Sequence, residues 1–373
     1  MAVDPTTIRL PAALLPRDGR FGSGPSKVRD DAMARLAAAA HGFLGTSHRQ
    51  EGVKSVVRRV RRGLAELFAL PDGYDVLLGN GGTSVFWDAA TIGLIEARSQ
   101  HLSFGEFSSR FAAITRAAPF LEDPDVIESP PGTHPEPSPR PDVDAYALTH
   151  NETSTGVMTD VRRPDGAGLV LVDATSAAGG LRVDPRHFDC YYFAPQKAFA
   201  SEGGLWLALC SPAALDRIER VAATDRWRPP TLDLSVALEN SRRDQTLNTP
   251  ALATLFLLAD SIEWMLDGGG LEWAASRSDR AAELLYGWAE ASDYATPFVA
   301  KPAERSHVNA TIDLEGVDAA AVAAALRANG IVDTEPYRKL GRNQLRIAMY
   351  PAIELEDLAT LTRAVDHVAE ALA

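Results

Sequence analysis

Residues Phe188–Phe199 read FDCYYFAPQKAF, an aromatic, strand-like run that ends close to Lys197. The chain has 32 arginines but only five lysines, and the other four lie in polar or arginine-bearing stretches. A lysine at the end of a buried strand loses hydration, so the pKa of its ammonium group falls and its neutral amine can act as a nucleophile. The alternative is a lysine that extends from a strand end to water.

Asp173 follows a second strand-like run, the continuous apolar stretch Leu169–Val172. Such runs are typical of parallel strands covered on both faces, and ligands bind at the carboxyl ends of these strands. An aspartate here can also be a turn residue or a helix N-cap. Together, however, a lysine and an aspartate at neighbouring strand ends suit pyridoxal phosphate. The lysine forms a Schiff base with its aldehyde, and the carboxylate keeps its pyridine nitrogen protonated.

A glycine-rich turn, Gly79–Ser84 (GNGGTS), lies between a predicted strand at Val76–Leu78 and an apolar helical pattern at Val85–Ile95. Free backbone N–H groups and the positive end of a helix dipole meet at such a turn, which predicts a phosphate site. Two alternatives are an ordinary turn with Ser84 as N-cap and a dinucleotide site. The dinucleotide motif G-x-G-x-x-G is missed by one residue, because Ser84 stands at the third glycine.

Several ordered motifs resemble the phosphoserine aminotransferases, a family of class V, fold type I pyridoxal-phosphate enzymes. These motifs span most of the chain: FGSGPSKV at 21–28, GTSHRQ at 45–50, GNGGTS at 79–84, HNETSTGV at 150–157, VDATSAAGG at 172–180, APQKAF at 194–199 and LNTPALATLFLL at 247–258. The resemblance implies an α/β fold, with a large, mainly parallel-sheet domain and a smaller C-terminal α/β domain.

The resemblance also implies cofactor-binding roles. Lys197 would be the catalytic Schiff-base lysine, Asp173 the partner of the pyridine nitrogen, and Thr153 the partner of the ring hydroxyl. Phe107 would stack on the ring where the family usually has tryptophan, with Phe104 nearby. The residues that would hold the cofactor phosphate are Thr83, Ser84 and Gln196, joined by Asn248 and Thr249 of the partner subunit in a homodimer with shared active sites.

The substrates implied by the resemblance are L-glutamate and 3-phosphohydroxypyruvate, which give 2-oxoglutarate and O-phosphoserine. The related phosphohydroxythreonine step of vitamin B6 biosynthesis is a second expected reaction. Because the chain carries a net charge of −13, anionic substrates need local cations. The resemblance assigns the α-carboxylate to Arg346. It assigns the substrate phosphate to His48, Arg49 and Arg338, and Lys339 or Arg342 could take the place of Arg338.

Composition agrees with an intracellular enzyme, and 373 residues with 46% hydrophobic content can form a large core, which predicts two domains. We expect a cytoplasmic protein, since there is no signal-peptide pattern and the two cysteines, Cys190 and Cys210, lie in apolar runs that suit reduced, buried thiols. The sequence predicts no metal site, no nucleic-acid partner and no membrane span.

The apolar patterns predict an N-terminal segment (1–22), a large cofactor-binding domain (23–267) and a small domain (268–373) that starts at a glycine run. Pro124–Pro141 contains seven prolines and is predicted to be an external loop. Three other functions remain open. They are a cysteine desulfurase, which would need an accessible cysteine, an alanine–glyoxylate type of class V transaminase, and, more remotely, a nucleotide-binding oxidoreductase.

Overall fold

The computed structural model describes residues 4–166 and 168–372, and within them the chain forms strands and helices that alternate for much of its length. The strands are β1 (Asp75–Asn80), β2 (Ser99–Ser103), β3 (Asp125–Glu128), β4 (Ala145–Thr149), β5 (Asn151–Glu152), β6 (Val157–Met158), β7 (Leu169–Asp173), β8 (Cys190–Phe193), β9 (Leu205–Cys210), β10 (Ala295–Pro297), β11 (Asn309–Leu314) and β12 (Gln344–Ala348). The helices are α1 (Asp30–Phe43), α2 (Glu51–Leu67), α3 (Thr83–Gly93), α4 (Glu106–Ala117), α5 (Pro212–Ala222), α6 (Leu234–Arg242), α7 (Leu252–Gly268), α8 (Gly270–Ala291), α9 (Ala319–Ala328) and α10 (Leu355–Leu372).

A seven-stranded sheet, in the order β1-β9-β8-β7-β4-β2-β3, carries the strands that the sequence singled out. Within this sheet only β9 runs against its neighbours, so the predicted mainly parallel α/β sheet is confirmed. β9 pairs in antiparallel orientation with β8, the strand that leads to Lys197. Asp173 is in register with Thr149 of β4 and Tyr192 of β8, so three carboxyl ends lie side by side at one edge.

Helices cover both faces of this sheet, as buried parallel strands require. α2 shows how the sequence produces this layer: Val53, Val57 and Val60 recur at helical spacing and are at most 1% exposed. α2 packs against α7. The two helices approach closely at Gly63, where a Cβ atom would stand 2.5 Å from a methyl group of Ile262.

A second sheet, β10-β11-β12, is antiparallel and lies near the carboxyl end of the chain, where it packs with α8, α9 and α10. α7 ends at Gly268 and α8 begins at Gly270, so the glycine run separates two helices where the sequence places a domain boundary. The division into segments 1–22, 23–267 and 268–373 stays a prediction.

The proline-rich stretch 124–141 is an external loop only in part, and here the sequence prediction was wrong. Residues Asp125–Glu128 form β3, which pairs with β2 at the edge of the large sheet. An edge strand tolerates flanking prolines because one side of its backbone needs no partner.

Cys190 and Cys210 face each other across β8 and β9 as buried, free thiols whose sulfur atoms are 3.9 Å apart. Both side chains lie in the core of the sheet, as the apolar runs predicted. No helix in the described part of the chain is long and apolar enough to cross a membrane.

Candidate active site

A cavity of about 310 Å³ opens at the carboxyl edge of the large sheet. Seven of the nine predicted cofactor-binding residues line it: Thr83, Ser84, Phe107, Thr153, Asp173, Gln196 and Lys197. These residues come from the ends of β7 and β8, the starts of α3 and α4, and the loop after β5. The fold therefore brings to one cavity seven residues that are spread over more than 100 positions of the sequence.

Lys197 projects into this cavity from the turn after β8, and its Nζ donates a hydrogen bond to the Ser23 carbonyl at 2.6 Å. Loss of hydration and, to a smaller extent, the nearby Arg346 guanidinium lower the pKa of Lys197 to about 8, although the carboxylates of Asp173 and Glu152 oppose the shift. A substantial fraction of the amine is therefore neutral near pH 8, as nucleophilic chemistry requires.

Asp173 is buried at the end of β7 and is held by three hydrogen bonds. Its Oδ1 accepts from the Thr175 backbone N–H at 2.9 Å and the Thr175 hydroxyl at 2.6 Å, and its Oδ2 accepts from Trp87 Nε1 at 2.9 Å. Burial raises the pKa of Asp173, whereas these donors and Lys197 favour its charged form. The carboxylate is thus fixed in orientation, with acceptor capacity left on the cavity side.

The amino end of α3 supplies an anion-binding corner of the cavity. Gly81 has a φ of +110°, a conformation that is unfavourable for residues other than glycine. No side chain of the described residues caps the amino end of α3. The first N–H groups of a helix have no intrahelical acceptor, so they are available to an anion together with the hydroxyls of Thr83 and Ser84. Gln196 Oε1 also lies near this corner, buried and without a partner among the described residues.

Thr153 and Phe107, two further residues that the sequence predicted at the site, also line the cavity. The Thr153 hydroxyl donates to Ser176 Oγ at 2.7 Å and keeps its lone pairs available to a ligand. Phe107 lines the cavity, and its ring centroid is 5.9 Å from that of Tyr337. Phe104, the other aromatic side chain nearby, is buried in the core beside His134 and does not line this cavity.

Arg346 on β12 is the side chain best suited to bind a carboxylate. Its guanidinium lies 5.4 Å from the centre of the Tyr337 ring, and burial lowers its pKa. Its Nε is buried and has no hydrogen-bond partner within residues 4–166 and 168–372. An arginine desolvated in this way is well suited to a planar anion.

The candidates for the second cation differ in what they contact. Lys339 pairs with Glu106, and Arg342 makes a bidentate pair with Asp313 at 2.6 and 3.0 Å. Arg338 is exposed and makes neither an ion pair nor a side-chain hydrogen bond within the described chain. Of the three, only Arg338 can therefore bind an anion without first breaking an ion pair.

The remaining predicted residues, His48, Arg49, Asn248 and Thr249, form a separate cluster that does not line the cavity. His48 Nδ1 lies 3.0 Å from the Thr249 hydroxyl, and Arg49 donates to the Leu247 carbonyl at 3.3 Å. Thr249 in turn accepts, through its carbonyl, a hydrogen bond from the Asn80 side chain at 2.9 Å. Within one chain these residues lie together but do not complete the cavity.

Trp87 and Thr175, which orient Asp173, were not predicted from the sequence. Trp87 lies one helical turn after Thr83, so the helical period of α3 could have placed both on the cavity side. Thr175 stands two residues after Asp173, the spacing at which an aspartate accepts from a backbone N–H in a turn.

Comparison with known proteins identifies the family of this chain. The family described as Aminotransferase class-V matches residues 136–335. The phosphoserine aminotransferase of Nocardioides sp. (strain ATCC BAA-499 / JS614) is 59% identical over 370 residues, which cover 98% of this chain and 99% of the relative.

Solved structures show the same fold. A phosphoserine aminotransferase from Cytophaga hutchinsonii superimposes with a TM-score of 0.88 at 23% identity, covering 94% of this chain and 99% of the other. One from Bacillus circulans subsp. alkalophilus gives a TM-score of 0.82 at 21% identity, covering 96% and 99%. The chain belongs to the phosphoserine aminotransferase family, within the class V aminotransferases, and is a pyridoxal-phosphate-dependent transaminase.

Proposed function

We propose that the protein transfers an amino group between L-glutamate and 3-phosphohydroxypyruvate, giving 2-oxoglutarate and O-phosphoserine in a step of serine biosynthesis. The observation that carries this proposal is the desolvated Arg346, whose Nε has no partner among the described residues and whose charge acts on Lys197. Arg338, which is exposed and makes no ion pair within the described chain, is the cation that we assign to the second anionic group. The same arrangement would accept the phosphorylated four-carbon substrate of the vitamin B6 pathway, which we include in the proposal.

The cavity residues fit pyridoxal phosphate. The uncapped start of α3, with Thr83, Ser84 and Gln196, would hold the phosphate, and Asp173 would bind the pyridine nitrogen. Thr153 would contact the ring hydroxyl, and Phe107 would cover one face of the ring. When bound, the cofactor supplies an aldehyde that links to amino groups and a ring that accepts electrons released at the substrate Cα.

Lys197 would serve both as the attachment point of the cofactor and as the acid–base group. Its pKa of about 8 lets it lose and regain a proton near physiological pH, which suits a group that moves a proton at the substrate Cα. Its hydrogen bond to the Ser23 carbonyl supports this role, because that acceptor can hold the amine when it is free.

Arg346 would bind the α-carboxylate that both substrates share. A charge-assisted, bidentate contact would satisfy the guanidinium, whose buried Nε finds no partner among the residues that the structure describes. Because glutamate and phosphoserine present the same group here, this contact does not distinguish them.

The substrate phosphate would be bound by Arg338 together with His48 and Arg49 of the partner subunit. His48 lies against Thr249, so if Thr249 and Asn248 reach the cofactor phosphate of the partner subunit, His48 and Arg49 reach the same site. We therefore propose a homodimer with two shared active sites. A cytoplasmic location is also proposed, and the unbridged thiols of Cys190 and Cys210 support it.

A half-reaction screen tests the proposed function directly. The pyridoxal form of the enzyme is mixed with single amino acids, and the loss of its visible absorbance is followed by stopped flow. Phosphoserine and glutamate should react, while unphosphorylated serine and alanine should react at least about 100-fold more slowly in kcat/KM, since they leave the phosphate-binding cations unpaired. Serine or alanine reacting as fast as phosphoserine would favour the alanine–glyoxylate type of transaminase.

A further inference from the structure

Glu152, in the HNETSTG motif, has a fully buried carboxylate that does not line the cavity. Its Oε2 accepts hydrogen bonds from the backbone N–H groups of Phe107 at 3.1 Å and Ser108 at 2.9 Å, and from the Ser108 hydroxyl at 3.0 Å. Its Oε1 accepts from the Ser154 hydroxyl at 2.6 Å. One carboxylate thus holds the first turn of α4 to the loop that carries Thr153.

These contacts suit a charged carboxylate. Burial raises the pKa of Glu152, but the surrounding hydroxyl and N–H donors and the positive end of α4 favour the ionised form. Gly105 makes the approach possible, because a Cβ atom there would stand 2.4 Å from Glu152 Cγ and 2.6 Å from Ser154 Oγ. The glycine before α4 is therefore needed for packing against this carboxylate.

The residue that Glu152 holds, Phe107, is one of two aromatic residues that line the cavity, and the other is Trp87. Phe107 extends from the N–H group that Glu152 binds, its ring contacts Tyr337, and the Tyr337 ring in turn lies under Arg346. We propose that Glu152 is a positioning residue, which fixes the Phe107 ring against the cofactor and against Tyr337 without touching a ligand itself. This inference rests on the proposed function, because it assumes that Phe107 covers the bound cofactor.

The test is a double-mutant cycle on cofactor binding to the apoenzyme. Glu152→Gln replaces one of two acceptor oxygens by an NH2 group, which cannot accept, so the contacts to α4 and those to Ser154 cannot both be kept as they are. We expect the dissociation constant of pyridoxal phosphate, measured by equilibrium dialysis, to rise about 10-fold, with a weaker visible circular-dichroism band from the bound cofactor. In a Phe107→Ala background the same substitution should change the constant less than about 2-fold, because the positioned ring is gone.

An equal rise in both backgrounds would overturn the inference, since Glu152 would then act independently of Phe107. An unchanged constant for Glu152→Gln alone would overturn it as well. The matched control is Asp189→Asn. Asp189 is a buried carboxylate that accepts from Val170 N–H at 2.8 Å and the Ser211 hydroxyl at 2.9 Å, but it lies at the amino end of β8. Cofactor affinity should not change in this variant.

If Glu152→Gln fails to fold, Ser154→Ala provides the smaller perturbation, because it removes one donor to the same carboxylate. We expect a rise of about 3-fold that again disappears with Phe107→Ala, and additivity would again count against the inference. The outcomes separate from those of the proposed function. A wild-type enzyme that transaminates phosphoserine while Glu152 and Phe107 are uncoupled refutes only the positioning role, whereas a wild-type protein that binds no cofactor refutes both.

Discussion

Replacing Gly24 by alanine should displace the catalytic amine while leaving the fold intact. A Cβ atom at Gly24 would stand 2.0 Å from Lys197 Nζ and 2.5 Å from its Cε. Because these atoms form the end of a flexible side chain, the lysine moves rather than the backbone. Restoring van der Waals contact requires a shift of more than about 1 Å, and a misplacement of that size can cost about 100-fold in rate.

The substitution also strains the backbone, since Gly24 has a φ of +143°. Such strain costs about 1–3 kcal/mol and should lower the Tm by a few degrees. Gly316→Ala is the control, because Gly316 has a φ of +72° and no atom of residues 4–166 and 168–372 lies within 4 Å of its added Cβ. It isolates the effect of strain from the collision with Lys197.

The assay is the stopped-flow half-reaction with glutamate at saturating cofactor, combined with thermal unfolding of each variant. We expect Gly24→Ala to react about 100-fold more slowly than wild type, and Gly316→Ala to react at the wild-type rate, with a modest loss of Tm in both. A wild-type rate for Gly24→Ala would refute the argument that the Ser23–Pro25 segment positions the amine. A slow Gly316→Ala would show that strain alone explains the effect.

Three further predictions follow from the site. Borohydride reduction and peptide mapping should find the cofactor on Lys197, and Lys197→Ala should fold but retain no covalent label. The rate at which Lys197 is modified in the apoenzyme should rise with pH through a midpoint near 8. This midpoint lies below that of an exposed lysine, because burial favours the neutral amine. Arg49→Ala should reduce kcat/KM for phosphoserine by about 10- to 150-fold, which corresponds to about 1.5–3 kcal/mol, and should reduce it far less for glutamate. Arg346→Ala should reduce kcat/KM for both substrates alike. Equal losses for the two substrates in Arg49→Ala would contradict the phosphate assignment. Mixing inactive Lys197→Ala with an inactive Thr249 variant should restore part of the activity in heterodimers, and no recovery despite proven subunit exchange would argue against shared sites.

The sequence predicted those parts of the site that end a periodic element. Lys197 and Asp173 follow apolar strands, and parallel strands bring their carboxyl ends to one edge, so their proximity follows from the pattern. The turn at Gly79–Ser84 was found in the same way, from a strand, glycines and a helix start. Resemblance to the family then supplied roles that spacing alone does not contain.

Other features depend on contacts between distant segments and could not be predicted. Trp87 reaches Asp173 across 86 positions, and Glu152 reaches Phe107 across 45. Prolines around β3 indicated a loop, because local composition does not reveal that a strand lies at a sheet edge. The cluster of His48 and Thr249 was likewise recognisable only once the fold placed the two residues together.

The segment before α1 joins the two sheets. The Phe21 carbonyl accepts from the Ala348 N–H at 3.0 Å, beside the small sheet, and two residues later the Ser23 carbonyl accepts from both Lys197 and the Tyr350 hydroxyl. A displacement of residues 21–23 would therefore also displace the carbonyl that accepts the hydrogen bond from Lys197. We therefore expect that a tag or fusion partner at the amino terminus can change the reaction rate, and that a carboxyl-terminal tag is the safer choice for measuring rates.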